Sequence, residues 1–248
     1  MADTSRSTVP TVPKVPKDTW WRALGYWIVL FSARLTLRVL FRARWLHVDR
    51  IPRRGAVLLA GNHQSYLDPP MVATAITKRR ICFLARAGLF ESTLFGRLIS
   101  FLNSVPVSEE GSDLVAMRTV IELLEKDQAV LIFPEGSRTE TGRVGEFKRG
   151  AALLIKRTHC PIVPFAIEGA YDAWPRGQSK PRLFRSRVWV MFAEPIEHDD
   201  LMQNGQEAAM LRLRDESVRL RAELRRKMQL PPLDDTLVAE QDTPQDRS

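Results

Sequence analysis

A histidine and an aspartate, His63 and Asp68, lie five positions apart just after a short apolar run, Ala56–Ala60. Imidazole groups titrate near neutral pH, so a histidine can remove a proton from a hydroxyl group as that group attacks a carbonyl carbon. A carboxylate that accepts a hydrogen bond from the other ring nitrogen would fix the tautomer and stabilise the imidazolium. The pair therefore predicts a general base, His63, oriented by Asp68.

A structural interpretation of the same two residues stays open. Asp68 precedes Pro69, and an aspartate followed by proline is a common helix start, so Asp68 could be an N-cap. A single histidine after a strand is more often structural than catalytic. The two roles of Asp68 are compatible with each other, and a second motif is needed to decide between catalysis and structure.

The second motif is Phe133–Thr139, with the sequence FPEGSRT, which directly follows the apolar run Ala129–Phe133. Gly136 permits a sharp turn close to a ligand. Arg138 carries a planar guanidinium group that can bind a phosphate group in a bidentate manner. The alternative is that Arg138 is a solvated loop residue.

Both motifs lie within an alternating pattern of short apolar runs and helical periodicity. The predicted strands are Ala56–Ala60, Ile81–Ala85, Ala129–Phe133, Ile162–Ile167 and Val188–Phe192. The predicted helices are Pro69–Thr77, Glu91–Leu102, Ser112–Glu125, Phe147–Arg157 and Glu207–Met228. This order predicts a single α/β domain whose largely parallel central sheet is flanked by helices. Ligands of such sheets bind at the carboxyl ends of the strands, where both motifs fall.

The segment Trp20–Trp45 is apolar but interrupted by arginines, and its longest uncharged run, Ala23–Ala33, is shorter than the ~18 residues expected of a spanning helix. On a helix, three arginines would form a basic stripe, and four aromatic residues could anchor the segment in a head-group layer. These residues are Arg34, Arg38, Arg42, Trp20, Trp21, Tyr26 and Trp27. The segment is predicted to lie on a membrane surface; the alternative is a helix packed on its own domain.

Four regions follow from these patterns. Residues 1–18 are predicted to be a flexible tail, residues 19–46 a membrane-interfacial helical segment, residues 47–230 the catalytic domain and residues 231–248 a flexible acidic tail. The helix Glu207–Met228 has one apolar face, which predicts that it covers the sheet.

The chain has a formal net charge of +8, which favours an anionic partner such as a nucleic acid, an anionic lipid surface or a phosphate-bearing substrate. No zinc finger or recognisable nucleic-acid recognition motif accompanies this charge, so no nucleic acid partner is expected. Two cysteines, Cys82 and Cys160, and four scattered histidines make no credible zinc site, and we expect no metal. Both thiols are interpreted as reduced core residues.

Together, the motifs resemble those of the glycerolipid acyltransferase family typified by 1-acylglycerol-3-phosphate acyltransferases. The family pattern N-H-x-x-x-x-D is matched by Asn62, His63 and Asp68. Its F-P-E-G-(S/T)-R pattern is matched by the run from Phe133 through Pro134, Glu135, Gly136 and Ser137 to Arg138. An apolar V-P pair at Pro164 and a basic F-K-x-G-A stretch around Lys148 also match. The resemblance extends from about Trp45 to Pro195.

The resemblance implies acyl transfer from acyl-CoA or acyl-carrier-protein, with no cofactor and no covalent acyl-enzyme, to the hydroxyl of a lysolipid acceptor at the cytoplasmic face of a membrane. His63 would be the general base and Asp68 its orienting partner. Glu135, Gly136, Ser137 and Arg138, with Arg86 or Lys148, would bind the acceptor phosphate. No G-x-S-x-G motif, which would supply a serine nucleophile, is present.

The chain departs from the family pattern at Ser108-Glu109, where an aspartate and an arginine are expected. Glu109 would repel a phosphate dianion. In one interpretation, Arg138 binds the phosphate together with Arg86 or Lys148, without the arginine that the family pattern expects, and the reaction gives phosphatidate from 1-acylglycerol-3-phosphate. In the other, the acceptor is another lysophospholipid or an amino-acid lysolipid. A non-catalytic lipid-binding module with the same fold is the remaining alternative, and a paired base argues against it.

Overall fold

The computed structural model describes residues 19–91, 93–107 and 113–233 of the chain. Within them, seven strands form one sheet in the order β1-β7-β6-β2-β5-β3-β4. All neighbouring strands are parallel except β6 and β7, which are antiparallel. The predicted α/β domain with a largely parallel sheet is therefore confirmed.

The strands are β1 (Arg44–Leu46), β2 (Val57–Gly61), β3 (Ile81–Arg86), β4 (Ser104–Val107), β5 (Ala129–Ile132), β6 (Ile162–Glu168) and β7 (Trp189–Phe192). The helices are α1 (Trp20–Leu40), α2 (Asp68–Ala75), α3 (Thr93–Phe101), α4 (Asp113–Glu125), α5 (Arg149–Arg157), α6 (Ala170–Ala173), α7 (His198–Met202) and α8 (Gly205–Lys227). Each of the five predicted strands is present within two residues of its expected bounds. The short strands β1 and β4 were not predicted.

Successive strand residues pack on opposite faces of the sheet. On one face, Val57 and Leu59 of β2 pack with Met71 and Val72 of α2 and with Leu37 near the end of α1. On the other face, Leu58 and Ala60 pack against residues of α4, α5 and α8. This alternation is the period of two that β-strands impose, and it covers both faces of β2 with helices.

Helix α8 packs on the sheet through apolar contacts and through buried ion pairs. The predicted apolar face of this helix is confirmed, because Met210, Leu213, Leu220 and Leu224 are all buried. Glu168, at the end of β6, accepts hydrogen bonds at 2.6 Å from Arg221 Nε and Arg225 Nη1. Both arginine side chains are therefore largely buried, at 3% and 12% exposure.

The amino-terminal helix α1 packs one face against α2 and leaves the opposite face exposed. Tyr26, Leu30 and Leu37 are buried. The exposed apolar face consists of Trp20, Trp21, Leu24, Ile28, Phe31, Leu35 and Val39. Their spacing follows the helical repeat, so they form a continuous stripe. We call it the exposed α1 stripe.

Three expectations about this segment need correction. The helix ends at Leu40, and Arg42 has a positive φ of 46°, so Arg42 does not continue a basic stripe. Arg34 packs over the ring of Trp45 at 4.0 Å and donates to the Thr74 carbonyl, so it is not a solvated cation. Tyr26 is buried, where desolvation raises its pKa to about 12, and is no interface anchor.

The helix is also longer and more apolar than the longest uncharged run indicated. Between Ala23 and Leu40 the only charged side chains are Arg34 and Arg38. By length and composition α1 could cross a membrane. A spanning helix and an interfacial helix can share both properties.

Candidate active site

The two motifs meet at the carboxyl edge of the sheet because the strands that precede them are neighbours. β2 pairs with β5 in parallel, with Ala60 opposite Ile132. The loops that leave these strands therefore start side by side. The backbone N–H of Thr139 donates to the carbonyl of His63 at 2.8 Å, which joins the two loops directly.

His63 and Asp68 form a hydrogen-bonded pair. Nδ1 of the imidazole lies 2.7 Å from Oδ2 of Asp68. The carboxylate is fully buried, whereas the His63 side chain keeps 17% of its surface exposed. Within the described residues, Nε2 of His63 has no hydrogen-bond partner, so it is the nitrogen that is available to a substrate. The ring of Phe133 stacks on the imidazole, with 3.9 Å between the ring centroids.

Asp68 does not cap a helix. It is the first residue of α2, and its Oδ2 accepts the backbone N–H groups of Gln64 at 2.5 Å and Ser65 at 2.7 Å in addition to the imidazole. The carboxylate therefore faces backwards along the chain, toward the loop that connects His63 to Asp68. The N-cap interpretation is wrong, because the preceding loop, and not the first turn of α2, supplies its donors.

Asn62 explains why the motif requires an asparagine before the histidine. Its side-chain amide donates to the carbonyl of Ile167 at 3.0 Å, and its Oδ1 accepts the N–H of Ile167 at 2.8 Å. A buried amide thus extends the β2–β6 pairing by one step beyond Gly61. This clamp fixes the direction in which the chain leaves β2, and so the position of His63.

Glu135 supports the backbone of the histidine and is buried, with 6% of its surface exposed. Its Oε1 accepts the N–H of His63 at 2.8 Å, and its Oε2 accepts the N–H of Gly145 at 3.3 Å. Burial raises the pKa of this carboxyl to about 7, against the lowering effect of the two backbone hydrogen bonds. The structure thus places the Glu135 carboxyl against the backbone of the His63–Asp68 loop.

Further contacts hold the loop between His63 and Asp68. The Gln64 amide donates to the Gly142 carbonyl at 3.3 Å, and Ser65 Oγ donates to the Trp174 carbonyl at 2.7 Å. These partners come from two distant parts of the chain. The loop is therefore held by several independent hydrogen bonds before any substrate binds, which is the preorganisation that catalysis requires.

Arg138 lies on the aromatic face of Tyr66. The guanidinium carbon is 3.5 Å from the centroid of the ring. Its Nη1 is buried and has no hydrogen-bond partner within the described residues. The preceding turn has Gly136 at a φ of +70°, as a sharp turn requires, with the Lys148 side chain packed against it. Arg138 is thus not a solvated loop residue.

The remaining predicted site residues lie around the same edge. Arg86 ends β3 with an exposed side chain, and Ser137 is exposed in the turn beside Arg138. Pro134 is buried, and its carbonyl accepts the N–H of Lys148 at 2.9 Å. Pro164 lies within the buried strand β6. Glu109, the departure from the family pattern, lies outside the described residues.

Two of the histidines are not scattered, which corrects one expectation. His159 and His198 have ring centroids 4.6 Å apart, and Asp199 Oδ1 lies 3.1 Å from His198 Nδ1. Each of the three residues offers a possible ligand atom within 4.8 Å of the others. His159 precedes β6, so the group lies at the amino end of the sheet, away from His63.

Comparison with known proteins agrees with the motifs. The family model described as Acyltransferase matches residues 45–168, and the chain belongs to this family. Its relatives include the 1-acyl-sn-glycerol-3-phosphate acyltransferase LPAT1, chloroplastic, of Arabidopsis thaliana, which is 27% identical over 72% of this chain and 50% of that protein. The 1-acyl-sn-glycerol-3-phosphate acyltransferase of Streptococcus pneumoniae is 28% identical over 66% of this chain and 60% of that protein.

The fold also matches a solved structure. The crystal structure of the 1-acyl-sn-glycerophosphate (LPA) acyltransferase PlsC from Thermotoga maritima superimposes with a TM-score of 0.61 at 24% identity, covering 82% of this chain and 83% of that chain. The resemblance predicted from the motifs is therefore confirmed at the level of family and fold. Alignment with the two curated relatives spans between half and three fifths of their lengths.

Proposed function

We propose that the protein transfers a fatty acyl group from acyl-CoA or acyl-carrier-protein to the hydroxyl of 1-acylglycerol-3-phosphate, giving phosphatidate for phospholipid synthesis. The observation that carries this proposal is the 2.7 Å pair between His63 Nδ1 and Asp68 Oδ2, which leaves Nε2 available. The names of the curated relatives support the choice of acceptor. The donor is a co-substrate, and no cofactor takes part.

The proton transfers follow from this geometry. Nε2 of His63 removes the proton of the acceptor hydroxyl while its oxygen forms a bond to the thioester carbonyl carbon. Asp68 stabilises the imidazolium that results. When the tetrahedral intermediate collapses, the carbon–sulfur bond breaks and His63 returns the proton to the leaving thiolate. An ester and a free thiol are formed, and the imidazole is neutral again.

Arg138 is the group best suited to bind the acceptor phosphate. It lies in the loop joined to His63 through Thr139, and its buried Nη1 lacks an acceptor within the described part of the chain. An unsatisfied buried donor is costly, and a phosphate oxygen would satisfy it. Arg86, at the carboxyl end of β3, and Lys148, against Gly136, add positive charge at the same edge.

The exposed α1 stripe supports operation at a membrane surface, which we propose to be the cytoplasmic face. Because the opposite face of α1 packs on α2, the helix lies along the domain, which favours a helix in the interface over one that leaves the domain to span the bilayer. The tryptophans at its start, Trp20 and Trp21, are suited to the head-group layer. Anionic lipid would complement the basic chain.

One experiment tests the reaction. Purified protein is incubated with acyl-CoA or acyl-carrier-protein and a panel of acceptors: lysophosphatidate, a zwitterionic lysophospholipid and an amino-acid lysolipid. Products are identified by mass spectrometry. We expect phosphatidate from lysophosphatidate, and none from the His63→Ala variant. Turnover of another acceptor in preference would reassign the substrate, and undiminished turnover by His63→Ala would exclude the mechanism.

A further inference from the structure

Tyr66 occupies one of the unspecified positions between the histidine and the aspartate of the motif, yet its ring contacts Arg138. We infer that Tyr66 is a positioning residue: its ring supports the Arg138 guanidinium so that the N–H groups of Arg138 stay available for the phosphate of the acceptor. This inference rests on the proposed function and adds a determinant of acceptor specificity to it.

Several other arginines of the chain are paired with carboxylates, and Arg138 differs from these. Arg50 lies 2.7 Å from Glu194, Arg176 lies 2.9 Å from Glu140 and Arg221 lies 2.6 Å from Glu168. Each carboxylate occupies N–H donors of its arginine. Within residues 19–91, 93–107 and 113–233, Arg138 has no such ion pair, and the contact that defines its position is the Tyr66 ring at 3.5 Å.

An aromatic face and a carboxylate stabilise a guanidinium group in different ways. The ring attracts the positive charge through its electron-rich face. Guanidinium N–H groups lie in the plane of the group and point away from a ring stacked on that plane. A stacked arginine is therefore oriented while its N–H donors remain available, whereas an arginine paired with a carboxylate has at least one of them occupied. For binding a phosphate, the stacked arrangement is the better one.

The ring of Tyr66 is itself held in place. It packs on Trp174 at 5.3 Å between centroids, and Ser65 Oγ donates to the Trp174 carbonyl at 2.7 Å. Ser65 and Tyr66 belong to the loop that carries His63. The same loop thus supplies the base, His63, and, three residues later, the ring of Tyr66 that supports the phosphate-binding arginine. The distance between the proton acceptor and the phosphate site is set by a short, hydrogen-bonded segment.

The test separates positioning from folding. Tyr66 is 47% exposed, so its substitution leaves little cavity in the core. Tyr66→Phe keeps the ring, and Tyr66→Leu removes it while keeping an apolar side chain. Steady-state kinetics with varied lysophosphatidate are measured for both, for Arg138→Ala, and for Tyr66→Leu combined with Arg138→Ala. Thermal unfolding of each variant controls for stability.

We expect Tyr66→Leu to raise KM for lysophosphatidate by about 3- to 30-fold, with kcat changed much less, and Tyr66→Phe to resemble the wild type. In the Arg138→Ala background, Tyr66→Leu should have little further effect, because the group that the ring supports is already absent. Equal KM values for wild type and Tyr66→Leu would overturn the inference. A full effect of Tyr66→Leu without Arg138 would overturn it as well.

The outcome also distinguishes this inference from the proposed function. Should the wild type fail to acylate lysophosphatidate, the proposed reaction fails, and with it the phosphate site. Should the wild type produce phosphatidate while Tyr66→Leu leaves KM unchanged, the reaction stands and only the role of Tyr66 is excluded.

Discussion

Three hydrogen bonds converge on one oxygen of Asp68, and the partner that defines the chemistry is Nδ1 of His63, at 2.7 Å from Oδ2. The other two come from the backbone N–H groups of Gln64 and Ser65. Oδ1 is buried and has no partner within the described residues. One carboxylate oxygen thus fixes both the histidine ring and the loop that carries it.

This convergence allows the charge of Asp68 to be tested apart from its geometry. In Asp68→Asn, the amide oxygen can accept the same three hydrogen bonds, while the negative charge that stabilises the imidazolium is lost. We expect kcat to fall by about 10²–10⁴-fold with little change in unfolding free energy. Asp68→Ala, which also loses the loop contacts, should be inactive and less stable. Wild-type kcat in Asp68→Asn would contradict the role of the carboxylate.

Arg138 should act mainly through acceptor binding. Arg138→Lys keeps the charge but cannot form two parallel hydrogen bonds with a phosphate, and Arg138→Ala removes both properties. We expect KM for lysophosphatidate to rise about 10- to 100-fold in Arg138→Ala, with a smaller rise in Arg138→Lys. KM for the thioester donor should change little and provides the internal control. An unchanged acceptor KM in Arg138→Ala would place the phosphate elsewhere.

The pKa of Glu135, raised by burial to about 7, predicts a pH-dependent stability. Because the folded state binds this proton more tightly than the unfolded state, the contribution of Glu135 is fully present at low pH and is lost as pH rises to about 7. Glu135→Gln should flatten the fall in unfolding free energy between pH 4.5, the ordinary pKa of a glutamate, and about pH 7, by on the order of a few kcal/mol.

Urea unfolding at several pH values measures this effect. The matched control is Glu140→Gln, which removes an exposed carboxylate from the same loop. We expect the control to keep the wild-type pH dependence. Stability curves of wild type and Glu135→Gln that run parallel over this pH range would show that Glu135 has an ordinary pKa in the folded protein.

The exposed α1 stripe should carry membrane binding. Deleting the segment would also remove Leu37 from the core, so charge substitutions are the sharper test. Ile28→Glu with Phe31→Glu places two carboxylates on the stripe without touching the face that packs on α2. We expect the partition coefficient on vesicles containing anionic lipid to fall more than ~10-fold in sedimentation assays.

Leu211→Glu is the control for this experiment, because Leu211 is 62% exposed on α8 and lies outside the stripe. It should bind vesicles as the wild type does. If the α1 variant also sediments with the vesicles like the wild type, the membrane contact lies on another surface of the protein.

The elements that could be predicted from the sequence are those with continuous apolar runs. β2, β5 and β6 are buried on both faces, so they consist almost wholly of apolar residues. β1 and β4 occupy the two edges of the sheet, where strands need no such run. β1 has three residues and begins with Arg44, and β4 contains Pro106, which sequence patterns place outside a strand.

For the site, sequence reasoning recovered the contacts that are local in the chain. His63 and Asp68 are five residues apart, and a compact turn is enough to join them. The contact from Glu135 to the His63 N–H spans 72 residues, and the stack of Arg138 on Tyr66 also spans 72. The motif made Glu135 a candidate for binding the acceptor. In the fold, its carboxyl is buried against the backbone of His63, and no local sequence pattern indicates that burial.

The buried Glu168 has a consequence for the order in which the protein can form. Its two partners, Arg221 and Arg225, are synthesised more than fifty residues later. Until they have left the ribosome, a carboxylate at the end of a central strand has no counter-charge, and burying it alone is strongly unfavourable. The end of β6, whose Ile167 holds Asn62 and thereby the position of His63, therefore reaches its final state only after the segment that contains Arg221 and Arg225 has been synthesised. A truncated chain lacking the end of α8 should be a target for proteolysis, however intact its motifs are.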